Sequence, residues 1–521
     1  MANGMASLMV GSSGLRSAQT ALNTTAHNLS NVNTQGYTRQ QVTFTDTTYA
    51  NVFSSSIVPG KYGLGVDIGA ISRVRNDFID RSYRTEYSRL GFYESQANAV
   101  YEVEDWFGEM QGVTYQQHIT DLYNSINELT KNPTSTIARS SLIQNATAFI
   151  DRSQAIYSGL KDYQITLNTE VSSMVDKINE LGQKIYSLNK SISKVEAGGV
   201  ERANDLRDTR DLALDELSQY LDIDYYETTD GQIIISAENI PFVSKSEVNT
   251  MDVRQEGQYG LLIPEWPAYE KDVFSFEKAA SNANNNDKGK LKGLLVARGT
   301  IDVNYQDVPV MPDKSDYDLT TAEGMAQYNS AMDDYQKQQD YYNKYIEPSA
   351  ILSAIAGFDK LVNGIVTALN DVLCPEKEVE TTTEMTDDEG NPLQADKYVY
   401  NASQYGRLYD RFGNVVEGTD NGDGTYSYTS GEKLYIDEQH TTAEDIDSMT
   451  YLILDMDKAG FGTDEDETVG VELFKRKGTE RYIKITGEDG TTTYVRNNLN
   501  AIGYEIDYTL GNLLVNPEAS Q

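Results

Sequence analysis

SLMVGSSGLRSAQTALNTTAHNLSNVNTQGYTRQ, residues 7–40, sets Leu8, Leu15, Leu22 and Leu29 seven residues apart. Gly11, Ala18, Thr25 and Val32 follow each leucine by three. This is the a/d seam of a heptad helix, with leucine at one position and mostly small residues at the other. So narrow a stripe cannot be buried by its own helix and needs a second one, from this chain or from another copy. The other positions are Ser, Thr, Asn and Gln, with Arg16 the only charge. That surface suits close packing among many similar helices. Asn33-Thr34-Gln35-Gly36 is rich in turn formers and ends the helix.

Downstream the period changes several times. Residues 37 to about 75 read as extended, with Gly60, Gly63, Gly65 and Gly69 punctuating short alternating runs. Residues 76 to about 131 read as helix in two pieces around Gly108 and Gly112. A long helix is expected over about 135–196, on the order of 90 Å at 1.5 Å per residue. Its heptad seam is Leu167, Val171, Met174, Ile178, Leu181, Ile185, Leu188 and Ile192, a coiled-coil core, and Gly198-Gly199 ends it. In ANDLRDTRDLALDELS, Asp205, Asp208 and Asp211 stand three apart with Arg207 and Arg210 between them. A salt-bridged helix face is expected there, not a metal site. IDYYETTDGQIIIS reads as a hairpin turning at Asp230-Gly231.

At 521 residues the chain holds several domains. Its formal net charge of -37 argues against nucleic acid and anionic membrane, which need a basic footprint. Cys374 is the only cysteine, which excludes an intrachain disulfide. The start has neither the charged nor the apolar region of a cleaved signal peptide, and no run of 18 apolar residues is present. Thirty-six tyrosines suit surfaces half-buried in an assembly, although β-rich surface explains much of the same count.

SGLRSAQTALNTTAHNLSNVNTQGYTRQ resembles the N-terminal signature of the flagellar axial proteins, the rod, hook and hook-associated proteins. Asn28, Asn31, Asn33, Thr34, Gly36 and Tyr37 fall where that pattern puts them, and the ending is closest to the hook-associated branch. ANDLRDTRDLALDELS and GKLKGLLVARG carry two further resemblances to that branch, with Gly299 standing where an acid is more usual. The resemblance implies a structural subunit of the hook–filament junction, needed for filament assembly. It implies an assembly interface at Leu8, Leu15, Leu22, Leu29, Asn28, Asn31, Asn33, Gly36 and Tyr37. The implied partners are copies of itself in a helical or ring layer, hook protein, another hook-associated protein and an export chaperone. The implied location is extracellular, on the flagellum, reached by type III export without a cleaved signal.

The expected fold is α+β, elongated and multidomain: a long coiled-coil helical bundle with inserted β-rich outer domains. Residues 1–75 form the heptad helix and its connector, 76–221 the long-helix domain, and 222–319 a β-rich domain. Helices over 320–373 return to pack on the helical domain, using Ile351, Ile355, Phe358, Val362, Ile365, Leu369 and Val372. Residues 374–521 form acidic β-rich outer domains. The family's C-terminal helices do not follow, so the Leu8–Leu29 seam is expected to lack its usual partner and the isolated chain to stay monomeric.

No catalytic constellation, metal site or cofactor site is read from the sequence. His27, His118 and His440 lie in different elements, and no nucleophile arrangement accompanies Cys374. Asp420-Asn421-Gly422-Asp423-Gly424 and the stretch from Asp455 are incomplete as calcium loops and read as turns. The alternative from another class is a secreted adhesin or surface interaction protein with a coiled-coil stalk, which leaves NVNTQGYTRQ unexplained.

Overall fold

The computed structural model describes residues 2–52, 60–108, 114–199, 202–256, 260–410, 415–437, 441–459, 472–487, 490–498 and 508–517. Its helices are α1 (Ala2–Ser30), α2 (Asp77–Phe107), α3 (Tyr115–Lys131), α4 (Thr136–Glu196), α5 (Asn204–Tyr220), α6 (Lys290–Arg298), α7 (Ala322–Tyr345) and α8 (Ala350–Leu373). Short antiparallel strands are interspersed, so the chain mixes helix and sheet. It forms two compact units, one of residues 1–102, 163–302 and 340–352, the other of 103–162, 303–339 and 353–521.

In the first unit, α1 lies on the antiparallel pair Gln40–Asp46 and Val66–Arg73. The second part of α4 packs on strands. Asn179 exchanges two hydrogen bonds with the backbone of Met251, both at 2.9 Å. Asn168 binds Gly260 O and the Leu262 N–H, at 3.2 and 2.7 Å. Asn189 does the same with Ile233 in the hairpin that turns at Gly231 (φ 77°). Three asparagines of α4 therefore bond to the backbone of strands or the turns beside them, while Gln164 donates to Arg298 O on α6 at 3.1 Å and Asn189 accepts from Arg210 on α5 at 3.1 Å.

The register on α4 also departs from strict heptads. Leu167, Val171, Ile178, Leu181, Ile185 and Ile192 are buried as expected. Met174 and Leu188 are only half-buried, and Val175 and Asn189 take the inner positions. A straight α-helix turns 3.6 residues per turn and drifts about 20° per heptad, so a strict seven-residue row rotates off the buried face.

In the second unit, Tyr115, Phe149, Phe358 and Phe474 form an aromatic core with ring centroids 5.0–6.5 Å apart. The α8 residues Val362 and Val366 are fully buried, whereas Val372 is 79% exposed and Asn370 takes an inner position. Although no run of 18 apolar residues is present, α8 is by length and composition long and apolar enough to cross a membrane. Its apolar residues Ile351, Ile355, Phe358 and Val362 are instead buried in the fold. The seven-stranded sheet runs Thr419–Asp420, Tyr426–Ser430, Lys397–Ser403, Ser448–Leu454, Thr492–Arg496, Tyr482–Thr486, with Glu376–Thr381 also on Ser448–Leu454. Tyr398, Tyr400, Tyr428 and Tyr451 fill its core. Their hydroxyls bind loop backbone, as Tyr428 donates to Tyr405 O at 2.7 Å and Tyr400 accepts from the Leu434 N–H at 3.1 Å. These tyrosines serve the interior, which supplies apolar area and a satisfied polar tip together.

Candidate assembly site

Helix α1 turns its polar face inward. Ser13 Oγ accepts from the Val66 N–H at 3.2 Å and Ser17 Oγ donates to Val66 O at 3.3 Å. Thr24 is buried, and Asn28 exchanges two 2.9 Å bonds with the backbone of Gln40. Leu8, Leu15, Leu22 and Leu29 face outward, 64–77% exposed, and Val32 is 71% exposed. This inverts the usual surface helix, whose apolar stripe faces the core. Four large apolar side chains thus stand exposed in one row. The inward residues Ser13, Ser17, Thr24 and Asn28 were not among the expected site residues. Their spacing of four, seven and four is helical, but it is a pattern in hydroxyls and amides that apolar periodicity does not register.

The turn after α1 is locked by its own side chains. Asn31 Nδ2 donates to His27 O at 3.0 Å and its Oδ1 accepts from Thr34 Oγ1 at 3.1 Å. Tyr37 Oη donates to Asn28 Oδ1 at 2.7 Å, so the signature's two ends close on each other. Burial, then Asp205 and Asp208, raise the Tyr37 pKa and keep the phenol protonated. Gly36 has φ 79°, and a Cβ there would lie 3.1 Å from Leu212 Cβ on α5. Backbone conformation and the close approach both call for glycine. Asn33 is exposed.

The acids of α5 secure this turn. Asp208 accepts from the Thr38 N–H at 3.0 Å and from Arg73 at 2.8 Å. Asp211 accepts from Arg73 at 2.6 Å and faces Arg75 at 3.4 Å, while Asp215 pairs with Arg84 at 2.7 Å. The arginines between them bind elsewhere. Arg207 meets Glu196 at 2.8 Å and Glu227 at 2.7 Å. Arg210, fully buried, donates to Gly231 O at 2.6 Å and Asn189 Oδ1 at 3.1 Å. The hydrogen bond from Arg207 holds the Glu196 carboxyl down at about 2, and burial lowers Arg210 to about 10. NDLRDTRD is thus a two-sided ionic staple. Its acids grip the signature turn and the start of α2, and its arginines grip α4 and the hairpin beside it.

Among the described residues no group of three or more His, Cys, Asp or Glu could hold a metal ion. Asp420 and Asp423 accept hydrogen bonds from Gly422 and Thr425 within their own turn. Asp455 pairs with Lys458 at 3.0 Å, and Gly460, Asp466 and His440 lie outside the described residues. Burial raises the Cys374 thiol to about 11, which leaves it protonated and unreactive. Gly299, at φ 77°, would place a Cβ 2.2 Å from Leu352 Cδ1. An acid does not fit there while Leu352 keeps its place.

Residues 8–38 match the family described as flagella basal body rod protein. Residues 100–312 match the family described as flagellar hook-associated protein FlgK helical domain. Flagellar hook-associated protein 1 of Bacillus subtilis is 29% identical over 335 residues, 60% of this chain and 64% of that one. The chain is similar to flagellar hook-associated protein 1. The protein of that name from Escherichia coli is 27% identical over 44% of this chain and 41% of its own. That from Salmonella typhimurium is 27% identical over 41% and 37%. The chain thus spans less than two thirds of the length of these hook-associated relatives. The solved flagellar hook junction protein FlgK from Burkholderia pseudomallei aligns over 85% of this chain and 65% of its own. Its TM-score is 0.40 and its identity 13%, and nothing further rests on it. The resemblance read from residues 13–40 and from NDLRDTRD is borne out by hook-associated relatives, and the adhesin alternative gains no support.

Proposed function

We propose that the chain is a structural subunit of the bacterial flagellum that forms the hook–filament junction and is needed for filament assembly. The observation that carries this is α1, whose leucines at 8, 15, 22 and 29 are left outside while its polar face is bound inside the chain. The similarity to hook-associated protein 1 supplies the setting. The mechanism is packing: the leucine seam meets helices of neighbouring copies in a helical or ring layer, through head-to-tail contacts. Asn28, Asn31, Gly36 and Tyr37 fix the angle at which the seam is presented, and Asn33 lies exposed beside it. Hook protein and another hook-associated protein abut the layer, and a chaperone accompanies export without a cleaved signal. The five-part division from 1–75 to 374–521 is the working domain scheme, with the acidic β-rich part facing the medium. No catalysis is assigned.

The test is electron microscopy of cells lacking the full-length gene, with flagellin assayed in the medium. Bare hooks and shed flagellin are expected, and normal filaments would overturn the reading.

A further inference from the structure

A layer closed by head-to-tail contacts needs two different, complementary faces on each copy. The first unit carries such a pair. On α4, residues 183–194 hold Lys184, Lys190 and Lys194 and no acid, within a chain of net charge -37. All three lysines are exposed, outside the face that packs on strands, and none pairs with a carboxylate among the described residues. Lys190 Nζ sits 4.3 Å from the Tyr186 ring centroid, a cation already using an aromatic face.

The second face is on α2. Its inner side is bound through Ser88 to Leu221 O, Ser95 to Lys290 O and Gln96 to Gly293 O. Its outer side exposes Tyr83, Glu86, Leu90, Glu94 and Tyr101 in one stripe, since these positions recur at three, four, four and seven residues. Two acids flank a leucine, with tyrosines at either end; Glu86 also pairs with Arg89 at 2.8 Å, and Tyr83 stacks one face on Tyr87 and keeps the other. Lys184 to Lys194 spans about 15 Å and Glu86 to Glu94 about 12 Å along their helices, so the charged stretches match in length.

We infer that the Lys184–Lys190–Lys194 face of one copy docks on the Glu86–Leu90–Glu94 face of the next. The inference rests on the reading that the chain builds a layer of itself, and it names the lateral contact. Lysines opposite the two glutamates set the register, and Tyr83 and Tyr101 receive ammonium groups or apolar stems.

Disulfide trapping catches such a contact even when it is too weak to hold a stable oligomer. Two variants of the full chain, Ser187→Cys and Leu90→Cys, are each checked by circular dichroism and then oxidised alone and as a mixture; Cys374 is buried and stays silent. Dimers are expected in the mixture and not from either variant alone, and a chain carrying both substitutions is expected to give a ladder. Adding Lys184→Glu, Lys190→Glu and Lys194→Glu to the first variant should cut the yield by about tenfold, and Glu86→Lys with Glu94→Lys in the second should restore it. A mixture that gives no dimer, or a yield indifferent to charge reversal, overturns the inference. Normal filaments in the gene-deleted cells would overturn the junction reading instead, whatever the trapping gives.

Discussion

Asn189 holds the backbone of Ile233 at two points: its Nδ2 donates to Ile233 O at 2.7 Å, and the Ile233 N–H donates to its Oδ1 at 3.0 Å. The side-chain amide takes the place of a neighbouring strand. The same two-point grip joins Asn28 to Gln40, Asn179 to Met251 and Asn370 to Phe474. Each lets a helix lie against a strand, or at Met251 the residue before one, without leaving a buried N–H or C=O unpaired. Asn189→Leu keeps the branched shape at somewhat larger volume and deletes the grip, and it also strips Arg210 of a partner. A loss of about 2–4 kcal/mol is expected. In a Trp106→Phe background, urea unfolding followed by fluorescence reports it through Trp266, which is fully buried in the same unit. An unchanged midpoint would show that the grip adds nothing.

The staple makes a sharper claim. Arg73 bridges Asp208 and Asp211, and all three are nearly buried. Arg73→Met leaves two carboxylates facing each other with less compensation, at a cost of about 3–5 kcal/mol. Because Asp208 also holds the Thr38 N–H, the signature turn should loosen as well. Hydrogen exchange at Thr38 should accelerate more than at the Met251 amide, which Asn179 secures independently. Equal acceleration at both would mean that the staple is not specific to the turn.

Much of this was legible from residues alone, and what was missed has one cause. Helix limits and the Asp230-Gly231 hairpin follow from local chemistry and occur as expected. NDLRDTRD is ionic as expected, but its residues are largely buried and pair with Arg73, Arg84, Glu196 and Glu227 on other segments and not along their own helix. The registers of α4 and α8 were read from apolar residues alone. At Asn189 and Asn370 the inner position belongs to a polar side chain bonded to a strand, so the apolar row appeared to continue through Leu188 and Val372. The same bias hid Ser13, Ser17 and Thr24 on the inner face of α1. The partner of a helix face is a tertiary fact, and a seven-residue repeat does not say whether helix or sheet will cover it.

Two carboxyls set opposite pH responses. Burial raises Glu238 to about 7, while its carboxylate accepts from the Asp222 N–H at 3.1 Å. The folded chain then binds a proton more tightly than the unfolded one, so this group's contribution is full below about pH 4.5 and is lost as pH rises through 7. Glu196, held at about 2 by Arg207, contributes above about pH 4.5 and loses its contribution as pH falls through 2. Glu238→Gln should therefore gain on the parent chain in thermal melts as pH rises from 5 to 8. Glu196→Gln should be the less stable chain at pH 7 and converge with the parent toward pH 2. Parallel curves for either pair would reject the assignment.

The leucine row separates folding from assembly. Leu15 and Leu22 are 75% and 64% exposed, and among the described residues nothing of the chain covers them. An exposed substitution away from packing usually changes stability by less than about 0.5 kcal/mol. Leu15→Asp with Leu22→Asp should therefore leave circular dichroism and thermal unfolding unchanged. In the layer proposed above those positions would meet neighbouring helices, and burying two unpaired carboxylates there would be prohibitive. Cells carrying the double variant should release flagellin and show bare hooks, whereas Asn23→Asp, on the same helix but outside the leucine row, should leave filaments in place. Filaments on cells carrying the leucine variant, with the protein present at the hook tip, would remove the seam from the assembly.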